Sequence, residues 1–326
     1  MEVPSRYHMR TATFDDLPAV VAVGQACDLA DLGELTVDED WVYDEWVRPR
    51  FDPSADAWVV SDPRGKVVAF AYTWDEKELT VFDTAGWVHP AHRGLGIGTA
   101  LVEAVETRAG RDIVSLSPEQ PVRVLQAFES DASGARHPDA SAARSLFEGL
   151  GYAPEREYLH MGIVVPDDFD IGGTPDGIEI RPRVGGDDRA IVAVMAEGFD
   201  DPWDYEDARR EWLVSKTHDP TLWHVALHGD RIVGALFAHM INGQGQISAL
   251  TVLEPWRRRG IADALLRSSF ATFRGRGVFD VRLNVDRDNE AATRLYEHAG
   301  MSLRRKWMVF AKTLPRCASS GRCSGT

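Results

Sequence analysis

The chain is poor in cysteine and in positive charge, and it has no long apolar run. Its three cysteines, Cys27, Cys317 and Cys323, include no Cys-x-x-Cys pair. We therefore expect free thiols rather than a disulfide framework or a structural zinc site. Lys+Arg 36 against Asp+Glu 51 gives a net charge of −15, which disfavours binding to nucleic acid or anionic lipid. With no membrane span and no signal-peptide core at the start, we expect a cytoplasmic protein.

Several catalytic motifs are also missing. The chain has no Gly-x-Ser-x-Gly elbow, no His-Glu-x-x-His pair and no Gly-x-x-x-x-Gly-Lys-Ser/Thr loop, which argues against serine hydrolases, zincins and Walker-type ATPases. The glycine-rich run that begins at Gly94 fails the dinucleotide pattern, because Thr99 stands where the third glycine is needed. Nothing in the sequence calls for a metal.

An internal repeat organises the 326 residues, a length that suits about two domains. Arg-x-x-Gly-x-Gly/Ala occurs twice, five residues after Val88 and five residues after Val252, and each copy is followed by an apolar-periodic stretch typical of a helix. Further along each half, a short helix ends at a glycine, Gly151 or Gly300, and a strand follows. Each half also starts with an arginine and a pair of aspartates suited to capping a first helix.

The repeat sets the predicted boundaries. A polar, turn-rich segment over 167–177 indicates a linker between an N-terminal domain, 1–166, and a C-terminal domain, 178–314. The tail, 315–326, cannot bury a core, and we expect it to be disordered.

The repeated segment is suited to binding a pyrophosphate. A strand, a glycine-rich loop and a helix present several backbone N–H groups at a helix N-terminus, and an arginine adds positive charge. Here the sequence resembles the GCN5-related N-acetyltransferase (GNAT) superfamily, whose acetyl-CoA signature is Arg/Gln-x-x-Gly-x-Gly/Ala. Both halves carry it, an arrangement similar to that of the actinobacterial mycothiol synthases.

The resemblance implies an α/β (α+β mixed) fold with two GNAT-like domains. Each would have a mixed, mostly antiparallel sheet with a splayed central strand, flanked by helices. Acetyl-CoA would be the co-substrate, and a backbone N–H near Val252 would hold the thioester oxygen. The cofactor-binding residues implied in the second half are Val252, Arg257, Arg258, Arg259, Gly260, Ile261, Ala262 and Asn289. Those implied in the first half are Val88, Arg93, Gly94, Gly96, Ile97 and Gly98.

The two halves differ at the position of the family's catalytic acid. Tyr296 lies four residues before Gly300, where relatives place a tyrosine that protonates the CoA thiolate. The matching residue of the first half is Phe147, which has no proton to donate. Similarly, Asn289 heads its helix, whereas the first half has Ala140. We predict a catalytic C-terminal domain and an N-terminal domain that is degenerate at the acid.

The general base and the acceptor are less clearly marked. The central strand around Val252 contains no acid, so the candidates are Asp286, His239 and the acidic run over 199–207; a water chain is the alternative. In that run Asp204 and Glu206 stand beside Trp203, a composition suited to a cationic amine. We treat these three as candidate substrate-binding residues.

The sequence thus predicts an acetyl-CoA-dependent N-acetyltransferase that transfers an acetyl group to the primary amine of a small, cationic molecule, by direct attack in a ternary complex. Two alternatives stay open: a non-catalytic CoA-binding sensor or assembly module, and an acetyltransferase that acts on a protein amine. Among small acceptors, an aminoglycoside-like or other antibiotic amine and the cysteinyl amine of a mycothiol precursor also stay open. The first half could also be a scaffold. The oligomeric state is open, with a homodimer as one alternative.

Overall fold

The computed structural model describes residues 3–75, 80–112, 121–131, 138–200 and 203–314. The predicted tail with Cys317 and Cys323, and Asp201 of the acidic run, lie outside the described residues. No helix in the described part of the chain is both long and apolar enough to cross a bilayer.

The described chain alternates strands with helices in the order that the repeat predicts. The strands are β1 (His8–Thr11), β2 (Ala57–Ser61), β3 (Val67–Asp75), β4 (Val81–Val88), β5 (Val122–Asp131), β6 (Ala153–Val164), β7 (Glu179–Pro182), β8 (His224–His228), β9 (Arg231–Ile241), β10 (Gln244–Val252), β11 (Asp280–Asp286) and β12 (Ser302–Leu314). The helices are α1 (Leu17–Asp31), α2 (Glu39–Trp46), α3 (Pro53–Asp56), α4 (Ile97–Asp112), α5 (Pro138–Gly149), α6 (Asp188–Phe199), α7 (Tyr205–Val214), α8 (Ile261–Gly275) and α9 (Glu290–His298).

These elements form two compact units with the same sheet plan. The first unit has the strand order β1-β2-β3-β4-β5-β12, and the second has β7-β8-β9-β10-β11-β6. Pairing is antiparallel within β1 to β4 and within β7 to β10, and parallel between β4 and β5 and between β10 and β11. The predicted mixed, mostly antiparallel sheets flanked by helices are confirmed.

The units are not consecutive in the chain. Residues 158–306 belong to the second unit, whereas the chain from Trp307 onward belongs to the first. Met161 and Ile163 of β6 are buried in the second core, and Phe310 of β12 is buried in the first. This division differs from the predicted boundaries at 166 and 178, because the apolar pattern of a strand marks its type but not the sheet that it joins.

A short segment of the first half also belongs to the second unit. It runs from Tyr43 to Pro49 and includes the end of α2. Asp44 accepts hydrogen bonds from the backbone N–H groups of Lys216 and Thr217 at 2.5 and 2.9 Å. One carboxylate thus orders the turn that follows α7.

Both units begin with the same ion pair. Arg10 donates to Asp16 at 2.6 and 2.7 Å, and Arg181 donates to Asp187 at 2.6 and 3.0 Å. Each arginine lowers the pKa of its carboxyl partner. The two acids stand at the N-cap positions of α1 and α6. Their carboxylates bind the strand arginine and the preceding loop rather than the helix N–H groups.

The second core forms on the predicted apolar stripe of α8. Leu265, Leu266, Phe270 and Phe273 are fully buried there. A Cβ atom at Gly245 of β10 would lie 2.8 Å from the Phe273 ring, so a glycine is needed for this helix to approach the strand. The packing fixes α8, and with it the loop that precedes it, against β10.

Candidate active site

The parallel strands β10 and β11 separate halfway along their length. They pair over only three residues, the last pair being Ile247 with Leu283. Beyond that pair, β10 follows β9 as far as Val252, and β11 follows β6 as far as Asp286. A register shift in β10 falls directly after Ile247. The predicted splay is confirmed, and it leaves strand-edge N–H and C=O groups on both sides of an opening that could take an extended ligand.

The loop after β10 has the same backbone conformation as the loop after β4. Gly94 and Gly96 have φ angles of 71° and 82°, and Arg258 and Gly260 have φ angles of 61° and 79°. A Cβ atom at Gly260 would meet only Pro175, at an ordinary 3.6 Å. The left-handed backbone, rather than lack of space, therefore explains the glycine at that position.

The last small residue of the motif serves helix packing. A Cβ atom at Gly98 would lie 3.2 Å from Leu146 of α5, and Ala262 is the matching residue of the second unit. Its part in cofactor binding stays a prediction. Ile97 and Ile261 begin α4 and α8 and are each 1% exposed, so they anchor the two helix N-termini.

Each helix N-terminus can hold an anion. The first-turn N–H groups of a helix have no partner within the helix, and the helix dipole places positive potential there. α8 contains 15 residues and α4 contains 16, which is long enough for the full effect. The loop and the helix together have the geometry of a pyrophosphate site.

The charge at this position differs sharply between the units. Arg257 and Arg93 play the same bracing role, since their Nε atoms donate to the last carbonyl of the strand at 2.8 and 3.0 Å. The terminal nitrogens of Arg93 are also bound to Asp31 at 2.7 and 2.8 Å. This pairing raises the pKa of Arg93 and balances its charge. In the first unit the arginine braces the loop through both contacts, and its role in binding a phosphate stays a prediction.

The second unit keeps its positive charge exposed. Arg257, Arg258 and Arg259 are all exposed, and within the described residues none of them has a carboxylate within 4.0 Å. The guanidinium of Arg259 lies 4.8 Å above the ring of Trp256. Three unbalanced positive charges thus stand at the start of α8, where an anion would bind.

Tyr296 lies in the core of the second unit. The residue is 8% exposed, and it packs in the same cluster as Leu283 and Val285 of β11. Burial raises the pKa of Tyr296 to about 12, because the phenolate would lose its hydration. No described residue forms a hydrogen bond with its hydroxyl. The phenol is therefore protonated at neutral pH and able to donate a proton to a ligand.

The matching positions of the first unit have no such group. Phe147 is 7% exposed, and its ring lies 5.8 to 6.2 Å from those of Phe128, Tyr152 and Phe310. In the second unit, Asn289 is the N-cap of α9, and its side chain accepts a hydrogen bond from the Ala292 N–H at 3.1 Å. Its contact with a cofactor stays a prediction. The side chain of Ala140 lies outside the described residues.

The opening of the first unit is bridged by a side chain. Thr84 donates its hydroxyl proton to the carbonyl of Leu125 at 2.6 Å, one residue past the last β4–β5 pair. Cys27, a buried free thiol, donates to the carbonyl of Val88 at 3.3 Å, and burial raises its pKa to about 11. These contacts occupy strand carbonyls on both sides of the opening.

The candidate acceptor residues of the acidic run all have partners within the protein. Asp204 caps α7 by accepting from the Asp207 N–H at 2.9 Å, and Glu206 lies 3.4 Å from Arg189. Trp203 stacks against Phe199, with ring centroids 6.5 Å apart. These contacts match a capped surface helix, and the role of the three residues in substrate binding stays a prediction.

The candidate bases occupy different places. Asp286 accepts a hydrogen bond from the Asp288 N–H at 2.9 Å in the turn after β11. His239 lies on β9, opposite Gln246. Neither placement singles out a base. Among the described residues, no group of three or more His, Cys, Asp or Glu side chains could hold a metal ion.

Sequence reasoning missed a polar pair at the apex of the opening. Asn284 directly follows the last β10–β11 pair, and its Oδ1 lies 2.8 Å from Nδ1 of His160 on β6. His160 stands in the N-terminal half of the sequence, 124 residues away, so no local pattern connects the two. The alternation of buried Leu283 and Val285 around Asn284 is the one signal that could have marked it as facing away from the core.

Comparisons with known proteins agree with this geometry. A family model described as "Acetyltransferase (GNAT) family" matches residues 190–301, and one described as "Acetyltransferase (GNAT) domain" matches residues 53–154. A protein of Kineococcus radiotolerans named mycothiol acetyltransferase is 31% identical over 295 residues, which are 87% of this chain and 89% of the relative. A protein of the same name from Saccharopolyspora erythraea is 26% identical over 75% of this chain and 82% of the relative.

Solved structures share the fold. A GCN5-related N-acetyltransferase from Sphaerobacter thermophilus superposes with a TM-score of 0.80 at 31% identity, over 96% of this chain and 97% of that one. A tandem GNAT protein from the clavulanic acid biosynthesis pathway shares the fold, with a TM-score of 0.73 at 15% identity over 94% of this chain and 98% of that one. The chain therefore belongs to the GNAT family of N-acetyltransferases, which use acetyl-CoA as acyl donor, and it carries two GNAT domains in tandem.

Proposed function

We propose that the second unit binds acetyl-CoA and transfers its acetyl group to the primary amine of a small molecule, whereas the first unit does not catalyse transfer. The observation that carries this proposal is the difference in charge between two loops of the same shape. Arg257, Arg258 and Arg259 leave an exposed positive site at the start of α8, whereas Arg93 is neutralised by Asp31. A pyrophosphate would find the same backbone in both loops but net positive charge in only one.

The opening between β10 and β11 would take the pantetheine arm, with the thioester near its apex. Strand-edge N–H groups of β10 just past Ile247 would hold the thioester oxygen, rather than the backbone near Val252 at the other end of the opening. The thiol end would then lie close to the core side, where Tyr296 is buried.

The reaction would be a direct attack in a ternary complex. The neutral amine forms a bond to the carbonyl carbon, the carbon–sulfur bond breaks, and Tyr296 donates its proton to the departing sulfur. The nitrogen loses its extra proton to water or to a base that we do not assign. Holding the amine against the thioester supplies most of the rate.

The acceptor is proposed to be a small molecule rather than a protein, since the relatives named above are mycothiol acetyltransferases. A preference for a cationic amine has less support. Asp204 and Glu206 would have to exchange a helix cap and an ion pair for the ligand.

Calorimetric titration with acetyl-CoA tests the proposal, because both loops offer a matched variant. Gly260→Val and Gly96→Val each force a β-branched residue into a left-handed backbone. We expect one site in the wild type, lost in Gly260→Val and kept in Gly96→Val, with thermal unfolding confirming that both variants fold. Absence of binding, or a site lost only with Gly96→Val, would contradict the proposal. Binding without transfer to any amine would instead favour a CoA-binding module.

A further inference from the structure

The loop before α8 contains an aromatic residue that carries one of its arginines. Trp256 ends a single 3-10 turn, Glu254–Trp256, and is half-buried against the second core. The guanidinium of Arg259 lies 4.8 Å from the centre of the Trp256 ring, which is the range of a cation–π contact. An arginine that moves freely must lose its rotamer freedom when it binds an anion. Arg259 loses less, because the contact with the ring already restricts it.

Trp256 is supported in turn by the end of β8. The ring of His228, the last residue of that strand, lies 4.5 Å from the ring of Trp256. On another side of the imidazole, a Cβ atom at Gly177 would lie 3.5 Å from Cδ2 of His228. Gly177 has a φ angle of 73°, so its backbone lies close to His228 in a conformation that favours glycine.

The turn that contains Gly177 also touches the loop directly. It is closed by a hydrogen bond from the Ile178 N–H to the Pro175 carbonyl at 3.0 Å, and Ile178 packs against the second core. Cγ of Pro175 lies 3.6 Å from the place where a Cβ atom of Gly260 would be. The last residues of the predicted linker thus lie against the loop and against the residue that supports its tryptophan.

The first unit has the same turn but a different pair of residues in its loop. The turn before β1 is closed by the same backbone bond, at 2.7 Å. His92 stands at the position of Trp256, and its Nδ1 lies 2.8 Å from the hydroxyl of Tyr7 in that turn. Leu95 stands at the position of Arg259, so the first loop has no cation there. The pair of tryptophan and arginine is therefore particular to the second unit.

We propose that Trp256 is a positioning residue for acetyl-CoA: it holds the guanidinium of Arg259 at the start of α8, where the pyrophosphate would bind. His228 and the turn over 175–178 hold Trp256 in place. This inference rests on the proposed function of the second unit and adds the residues that prepare its positive site. It also gives the end of the predicted linker a part in donor binding.

A double-mutant cycle in the full-length protein tests the inference. Calorimetry gives the dissociation constant of acetyl-CoA for the wild type, Trp256→Leu, Arg259→Met and the double variant. We expect Trp256→Leu to raise the dissociation constant about 2- to 10-fold, the cost of immobilising one long side chain. In the Arg259→Met protein the same change should have almost no effect, because no guanidinium is left to hold. Trp256→Phe, which keeps an aromatic face, should stay within about twofold of the wild type.

The first unit supplies the matched control. His92→Leu removes the corresponding ring there and should leave the affinity for acetyl-CoA unchanged. Thermal unfolding shows which variants fold. If Trp256→Leu does not fold, His228→Ala takes its place in the cycle, because His228 is exposed and its loss removes only the support of the tryptophan. The same coupling to Arg259 is then expected.

A purely structural role of Trp256 predicts a different result. Trp256→Leu, or His228→Ala in its place, would then weaken binding equally with and without Arg259. That additivity, or an affinity that does not fall in the variant, would overturn the inference. If the wild type still loses its site with Gly260→Val, the proposed function stands. A wild type that binds no acetyl-CoA, or that loses its site only with Gly96→Val, would overturn both.

Discussion

The second unit should not fold from its own half of the chain alone. A fragment spanning the predicted C-terminal domain, 178–314, lacks the part of β6 that completes its sheet. Without it, β11 would lose its seven pairs with β6 and keep only three with β10. The splay that opens the site for a ligand also makes β11 dependent on its other neighbour.

The size of the effect follows from three side chains. Met161, Ile163 and Val165 are 1%, 7% and 1% exposed in the second core. Burying a side chain of this size stabilises by about 1.5–3 kcal/mol, so the three together contribute about 5–9 kcal/mol. The free energy of unfolding of a domain is itself about 5–15 kcal/mol. Their loss is therefore large enough to unfold the fragment.

The assay compares two fragments by circular dichroism and thermal unfolding. Fragment 153–306 contains the complete β6 and ends where the chain passes to the first unit; it lacks only the segment from Tyr43 to Pro49. We expect a cooperative transition for 153–306 and none for 178–314. A cooperative transition for 178–314 within a few degrees of that of 153–306 would refute the argument that the second unit needs β6 from the first half of the sequence.

Three further predictions concern single residues. Tyr296→Phe should lower kcat about 10²- to 10⁴-fold at every pH from 6 to 9 with little change in stability, measured by stopped assays and thermal unfolding. The pH–rate profile of the wild type should show no inflection from Tyr296 between pH 6 and 9, because its pKa is about 12. If Tyr296→Phe instead unfolds at a much lower temperature and loses activity for that reason, Tyr296 has a packing role. Arg93→Ala should destabilise the protein, by leaving Asp31 without its partner, and leave acetyl-CoA affinity within twofold; a larger affinity loss would restore a phosphate role. The pKa of Asp187 in the folded protein lies below its ordinary 3.8, so the ion pair with Arg181 stabilises the fold above pH 3.8, and this stabilisation is lost as the pH falls through the lower value. Arg181→Ala should therefore weaken the fall of the unfolding free energy at acid pH. An unchanged fall in the variant would contradict this assignment.

Local features of the site could be predicted from sequence. The repeated loops have matching left-handed positions at Gly96 and Gly260, because only glycine adopts such a backbone without strain. The helix cap at Asn289 is also where the sequence places it. Both features depend on a few neighbouring residues, so a local pattern determines them.

Features that depend on distant partners could not be predicted. The neutralising partner of Arg93 is Asp31, 62 residues away, and nothing near either residue signals the pair. The same holds for His160 and Asn284, which are 124 residues apart. A strand pattern gives the period and the buried face, but the neighbour in the sheet is chosen by the packing of the whole unit.

The first half of the sequence supplies a strand to the second unit. The first unit keeps the loop conformation of its counterpart, although its arginine is neutralised and its opening is bridged by Thr84. Whatever that unit binds, β6 from this half completes the second sheet. That strand also carries His160, whose Nδ1 lies 2.8 Å from Oδ1 of Asn284 on β11. Changes at the buried residues Met161 and Ile163 of β6 should therefore destabilise the second unit, although both residues stand in the first half of the sequence.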